Sequence, residues 1–66
     1  MLLTDKRNQR GWSKARLSRE AGLNQNTVYG IESGHLVPYP GQLLKLAKAL
    51  GVPEERASDL MRDTEA

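Results

Sequence analysis

The sequence predicts an all-α domain of five short helices, and two observations lead to this prediction. Glycine and proline residues divide the 66-residue chain into short stretches, and the apolar residues within them recur at the spacing of a helix face. No stretch shows the alternation of β-branched and polar residues that is typical of a strand. A chain of this length holds one domain, so we assign residues 1–66 to a single unit with its core over residues 3–53.

The first three helices are predicted over residues 2–10, 14–21 and 25–33, and a glycine directly follows each of them. Ser13 and Asn24 directly precede the second and third helices, and their side chains are of the type that caps a helix N-terminus. Glycine is common just past a helix C-terminus because it adopts a left-handed backbone without strain. These signals predict short connections between the three helices.

Two prolines mark the start of the remaining helices. Pro40 suits the first turn of a fourth helix over residues 40–50, and Pro53 precedes a fifth helix at about residues 54–62. Proline is favoured at a helix start because its fixed φ suits the helix and its missing N–H would have no partner there. Residues 35–39 are predicted to form a loop.

The predicted core consists of apolar residues on the inner faces of the helices. In the fourth helix they recur at i, i+3, i+4 and i+7, as Leu43, Leu46, Ala47 and Leu50. The second and third helices contribute Leu17, Ala21, Val28 and Ile31. The connections contribute Trp12, Leu23 and Val52.

Charge is distributed unevenly along the chain. Residues 1–19 carry six basic residues and one acidic residue, residues 20–52 are balanced, and residues 53–66 have a net charge of −3. The first segment therefore attracts polyanions and the last repels them. Such a charge run also occurs on an ordinary solvated helix surface, so it suggests a nucleic-acid partner without establishing one.

Several classes of protein are disfavoured by what the sequence lacks. The chain has no cysteine, and its only histidine, His35, has no partner ligand for a structural zinc. No apolar stretch is long enough to span a bilayer, and the charged residues Asp5, Lys6 and Arg7 come soon after Leu3, where a signal peptide would continue. We expect a cytoplasmic protein with no metal, cofactor or small-molecule ligand. We also expect no catalysis. The adjacent carboxylates of Glu54 and Glu55 are best explained as acidic residues that interact favourably with the dipole at the start of a helix.

The segment of residues 14–32 predicts two helices that cross steeply after a short turn. Ser18 is small where the two backbones approach, and Gly22 tolerates the positive φ that the turn requires. Apolar packing then fixes the inner face of the third helix. The residues left pointing outward are Gln25, Asn26, Tyr29 and Gly30.

This arrangement resembles the helix-turn-helix of the phage-repressor (Cro/cI-like) superfamily, known as the XRE family. Gly11-Trp12-Ser13 is similar to the family's Gly-apolar-Ser/Thr entry to its second helix, and Ile31-Glu32-Ser33-Gly34 matches its Ile-Glu-x-Gly. Pro38 and the segment LLKLAKALGV extend the resemblance over about residues 3–53. The resemblance implies a compact five-helix, lambda-repressor-like DNA-binding domain with the helix-turn-helix at helices two and three.

The resemblance also implies roles for individual side chains. The third helix of such proteins lies in the major groove, with its N-terminal residues on base edges. The residues expected to read bases are Gln25, Asn26 and Tyr29. The residues expected to contact the DNA backbone are Lys14, Thr27, Ser33, His35, Arg7, Arg10 and Arg16.

Three features depart from the family pattern. Gly30 stands where relatives often have a long polar or basic side chain, and either a missing contact or a close approach to DNA explains it. Lys6 occupies a position that is commonly apolar, so Leu2 and Leu3 are left to pack the first helix. The apolar loop residues, which suggest contact with a partner such as a second subunit, are Leu36, Val37 and Tyr39.

The sequence therefore predicts a sequence-specific regulator that binds double-stranded DNA as a homodimer on a palindromic operator. The predicted subunit contacts are the fourth and fifth helices and the apolar loop, with contributions from Leu60 and Met61. The alternative is a protein-interaction module that keeps the fold without binding DNA.

Overall fold

The computed structural model describes residues 1–62, and within them the fold consists of helices without a strand. Four α-helices are followed by one 3₁₀ helix. The elements are α1 (Leu2–Gln9), α2 (Lys14–Ala21), α3 (Gln25–Ser33), α4 (Pro40–Ala49) and the C-terminal 3₁₀ helix (Glu54–Met61). The predicted all-α architecture of five helices is confirmed. Asp63 and Glu65, which contribute to the negative charge of the C-terminal segment, lie outside the described residues.

The boundaries of α2 and α3 agree with the prediction and are set by the expected caps, whereas α1 and α4 each end one residue earlier than predicted. Ser13 Oγ accepts a hydrogen bond of 3.0 Å from a backbone N–H in the first turn of α2. Asn24 Oδ1 does the same for α3 at 2.8 Å. Gly22 ends α2 at φ +69° and Gly34 ends α3 at φ +85°, both in the left-handed region that favours glycine. Local chemistry alone therefore fixes where the two central helices begin and end.

The predicted fifth helix is present and differs in type from the four α-helices before it. It is a 3₁₀ helix, in which the Arg56 N–H donates to the Pro53 carbonyl oxygen at 2.9 Å. Residues three apart are aligned in such a helix, so Ala57 and Leu60 lie on one face, and both are buried. Leu60 has no exposed surface, so the expectation that it contributes to a subunit contact is wrong.

The core lies between all five elements. α2 packs against α3 and α4, while the 3₁₀ helix packs against α4 and α1. The side chains without exposed surface are those of Leu3, Leu17, Val28, Ile31, Leu46 and Leu60. The predicted packing of α2 on α3 is confirmed, since Ala21 is also buried beside Leu17, Val28 and Ile31. Trp12, Leu23 and Val52 are partly buried against this core, as predicted.

A buried ion pair connects α1 to α3. Arg7 Nε donates to Glu32 Oε2 at 2.9 Å, and Arg7 Nη2 donates to Glu32 Oε1 at 3.1 Å. The exposed fractions of the two side chains are 10% and 2%. Thr4 Oγ1 also donates to Glu32 Oε1 at 2.9 Å, and Arg7 Nη1 donates to the Trp12 carbonyl oxygen at 2.7 Å. The pair therefore holds the C-terminal half of α3 against α1 in one orientation.

No helix within residues 1–62 combines the length and the apolar character that crossing a membrane requires.

We predict that Glu32→Gln lowers the free energy of unfolding by about 3 kcal/mol, because the variant leaves the Arg7 charge buried without its counterion. The matched control is Glu20→Gln. Glu20 pairs with Arg16 at 2.8 Å, but both side chains are more than 40% exposed. This control should cost less than about 1 kcal/mol. Urea denaturation monitored by circular dichroism measures both, and equal losses would contradict the role given to the buried pair.

Candidate nucleic-acid interface

The turn between α2 and α3 exposes one face of α3. Ser18 lies at the approach of the two helices with 3% of its surface exposed, and its hydroxyl donates to the Lys14 carbonyl oxygen at 2.8 Å. Val28 and Ile31 are completely buried on the inner face of α3. Residues on the opposite face consequently point into solvent, beginning with the first turn of the helix.

Three of the expected DNA-contacting residues, Lys14, Gln25 and Tyr29, lie together at the start of this outward face. Gln25, Asn26 and Tyr29 are exposed, and Gln25 Nε2 donates to the Tyr29 hydroxyl oxygen at 3.2 Å. Lys14 reaches across from the first turn of α2, with Nζ lying 5.0 Å from the centroid of the Tyr29 ring. Lys14, Gln25 and Tyr29 thus form one cluster that joins the N-terminal ends of α2 and α3.

The chemistry of this cluster suits a nucleic acid. The side-chain amides of Gln25 and of the neighbouring, exposed Asn26 each offer a donor and an acceptor on one plane, which matches the N6 and N7 atoms of adenine in the major groove. Lys14 supplies a positive charge beside the amides, and the first turn of α2 supplies backbone N–H groups and partial positive charge. The cluster therefore combines groups suited to base edges with groups suited to phosphates.

The other end of α3 carries a second group of expected backbone contacts. Ser33 Oγ lies 2.7 Å from His35 Nδ1 and donates to the Gly30 carbonyl oxygen at 3.0 Å. Both residues are exposed, whereas Thr27 is half-buried at the side of the helix. Contact of Thr27, Ser33 and His35 with the DNA backbone stays a prediction.

Arg10 and Arg16 both lie over the ring of the only tryptophan. Their guanidinium carbons lie 5.1 Å and 5.3 Å from the centroid of the Trp12 ring. Arg10 Nη2 also donates to the Leu50 carbonyl oxygen at 3.0 Å, at the C-terminal end of α4. Arg16 pairs with Glu20 in α2. Both arginines are exposed residues, so their contact with phosphate stays a prediction.

The structure corrects the expectation for Arg7. This residue was expected to contact the DNA backbone, but only 9% of its surface is exposed. Its guanidinium is occupied by the Glu32 carboxylate and the Trp12 carbonyl oxygen. Because binding a phosphate would require breaking this buried pair, Arg7 is a structural residue.

The geometry around Gly30 explains why a glycine stands there. A Cβ atom at this position would lie 2.5 Å from Leu36 Cδ1 and 2.6 Å from Leu36 Cγ. Leu36 therefore already occupies the space that a side chain of residue 30 would take. The backbone N–H groups of His35 and Leu36 both donate to the Gly30 carbonyl oxygen, at 2.9 Å and 3.1 Å. The glycine allows the loop after α3 to fold back over the helix.

Sequence reasoning missed the roles of Glu32 and Leu36. A signal for Glu32 was present, because it lies four residues after the buried Val28, just as Arg7 lies four residues after the buried Leu3. A charge on an inner helix face predicts a buried partner. The fit of Leu36 on Gly30 had no such signal, because the loop conformation decides it.

Within residues 1–62, His, Asp and Glu side chains nowhere form a group of three that would hold a metal ion.

Comparison with known proteins gives one match. A family model described as helix-turn-helix matches residues 3–56, which is most of the chain. No curated protein and no solved structure matches the chain.

We predict that Asn24 and Asn26 differ in what they do for the fold, although they are neighbouring asparagines. Asn24→Ala removes the N-cap of α3 and should lower the free energy of unfolding by about 1 kcal/mol. Asn26→Ala, the matched control, changes an exposed side chain and should stay within about 0.5 kcal/mol of the parent protein. Thermal or urea unfolding compares the two variants. An equal loss of unfolding free energy in both would show that the Asn26 side chain also stabilises the fold.

Proposed function

This chain belongs to the Cro/cI-like, or XRE, helix-turn-helix family of DNA-binding regulators, and from that premise we propose that it binds double-stranded DNA sequence-specifically as a homodimer on a palindromic operator. Residues 1–66 act as one DNA-binding domain in this proposal. The proposal keeps the cytoplasmic location expected from the sequence and requires no enzymatic step.

The observation that carries the proposal is the cluster of Lys14, Gln25 and Tyr29, which joins the N-terminal ends of α2 and α3. Gln25 and Asn26 are exposed and free of the core, and Lys14 lies beside the Tyr29 ring. We propose that α3 enters the major groove with Gln25, Asn26 and Tyr29 toward base edges. Lys14 and Arg16 then face the sugar-phosphate backbone from the first turn of α2.

The homodimer is proposed for a geometric reason. One recognition helix covers only a few base pairs, so useful specificity requires two copies on half-sites about 34 Å apart. The exposed apolar side chains available for a subunit contact include Val37, Tyr39 and Leu44, which are 89%, 73% and 39% exposed. Large apolar side chains left in solvent by a single copy support association.

The same exposed side chains favour the alternative function, a protein-interaction module that keeps the fold without binding DNA. The two functions differ in their response to DNA and salt. A DNA-binding protein binds duplexes with an affinity that falls steeply as salt rises, whereas an interaction module binds duplexes weakly at every salt concentration.

We predict that Lys14→Gln weakens binding to all duplexes to a similar degree. It should also reduce the slope of log K against log salt by about 0.9, because one phosphate contact is lost. Lys48→Gln is the matched control, because it makes the same charge change at an exposed position on α4. Fluorescence anisotropy across a salt series measures both slopes. Equal changes in the two variants would show that Lys14 attracts DNA only through net charge.

We predict that Gln25→Ala relaxes the preference at one base pair in each half-site, costing about 1–3 kcal/mol of discrimination there. Gln9→Ala, at the exposed C-terminal end of α1, is the control and should leave every preference unchanged. Selection of bound sites from random duplexes gives the preferences of the parent protein and both variants. An unchanged site for Gln25→Ala would remove this residue from the base-reading set.

A further inference from the structure

We propose that Leu36, a loop residue, reads DNA in place of the side chain that Gly30 lacks, and that its target is the C5-methyl group of a thymine. This inference rests on the proposed function, since it adds a specificity-determining residue to the same surface.

The position of Leu36 follows from its contact with Gly30. The space that a Cβ of Gly30 would enter holds Cδ1 and Cγ of Leu36. Gly30 lies four residues after Asn26 and three before Ser33, and both of these residues are exposed. Residues at these spacings share one helix face. Leu36 therefore lies on the outward face of α3, about one turn beyond Asn26.

The loop holds Leu36 in this place through hydrogen bonds. Several donors converge on the Gly30 carbonyl oxygen, among them the N–H groups of His35 and Leu36 and the hydroxyl of Ser33. Gly34, at φ +85°, provides the left-handed turn that brings the loop back. A side chain that is already positioned loses little conformational entropy on binding.

The chemistry of the side chain selects its target. Leu36 is 46% exposed, so the part of its isobutyl group that does not lie on Gly30 is available to a partner. An isobutyl group neither donates nor accepts a hydrogen bond. The apolar group that the major groove offers is the thymine C5-methyl, which distinguishes thymine from the other three bases. Burying this methyl group against Leu36 favours thymine at one position in each half-site.

The test replaces thymine by uracil, one position at a time, in a duplex that the parent protein selects from random sequence. Uracil keeps the base-pairing atoms and lacks only the methyl group. We expect one position in each half-site where this replacement weakens binding of the parent protein about fourfold, the effect of one buried methyl group. Leu36→Ala should bind the thymine and uracil duplexes equally at that position.

Two further variants make the test specific. Gln9→Ala shortens an exposed side chain at the C-terminal end of α1, outside the proposed DNA and subunit contacts, and should keep the full preference for thymine. Gly30→Ala keeps the Leu36 side chain but displaces it from α3, because the new Cβ takes its place. This variant should lose the preference, and circular dichroism should show that Gly30→Ala and Leu36→Ala both remain folded.

The outcomes separate the two proposals. A parent protein that selects no duplex would overturn the proposed function and this inference together. A parent protein that selects a site, but keeps its thymine preference in Leu36→Ala, would overturn the inference alone. If Leu36→Ala shifts the monomer–dimer equilibrium and leaves the ratio of thymine to uracil affinity unchanged, Leu36 is a subunit contact and the inference is wrong.

Discussion

The orientation of α3 depends on the buried ion pair between Arg7 and Glu32. A buried pair contributes little net stability, because desolvation of the two charges offsets most of their attraction. Its effect is on geometry. The Arg7 guanidinium can satisfy its donors only where the Glu32 carboxylate and the Trp12 carbonyl oxygen lie together, and that arrangement requires one placement of α1, α3 and the connection between α1 and α2. Apolar packing alone would tolerate small rotations of α3, whereas this pair does not.

The two faces of α3 consequently have separate tasks. Val28, Ile31 and Glu32 belong to the buried face, and a change there alters the fold. Gln25 and Asn26 belong to the exposed face, and the fold places no demand on their identity beyond the first turn of a helix. Among the described residues, no buried side-chain polar atom lacks a hydrogen-bond partner. The buried polar groups therefore need no hydrogen bonds from the outward face of α3, and the residues on that face are free to vary.

Much of this architecture could be predicted from the sequence, because local chemistry decides it. Ser13 and Asn24 cap helices with their own side chains. Gly22 ends α2 because glycine adopts the left-handed backbone of the C-cap without strain, and this depends on no distant part of the chain. Other features depend on distant parts of the chain. Arg7 and Glu32 are 25 residues apart, so the sequence predicts a phosphate ligand in a basic segment where the structure has an arginine paired with a distant carboxylate. The last helix, which packs against α4 and α1, is likewise a 3₁₀ helix without a local sequence signal for that form.

The contact between Gly30 and Leu36 affects how recognition can be moved between proteins. A graft that transplants α3 alone into a relative would carry the glycine without the leucine that fills the space above it, and would leave an open notch in the exposed face. The reverse graft, a bulky residue at position 30 beside the native loop, would drive the two side chains into each other. The segment that must be transferred as one piece is therefore longer than α3, and it includes the loop as far as Leu36.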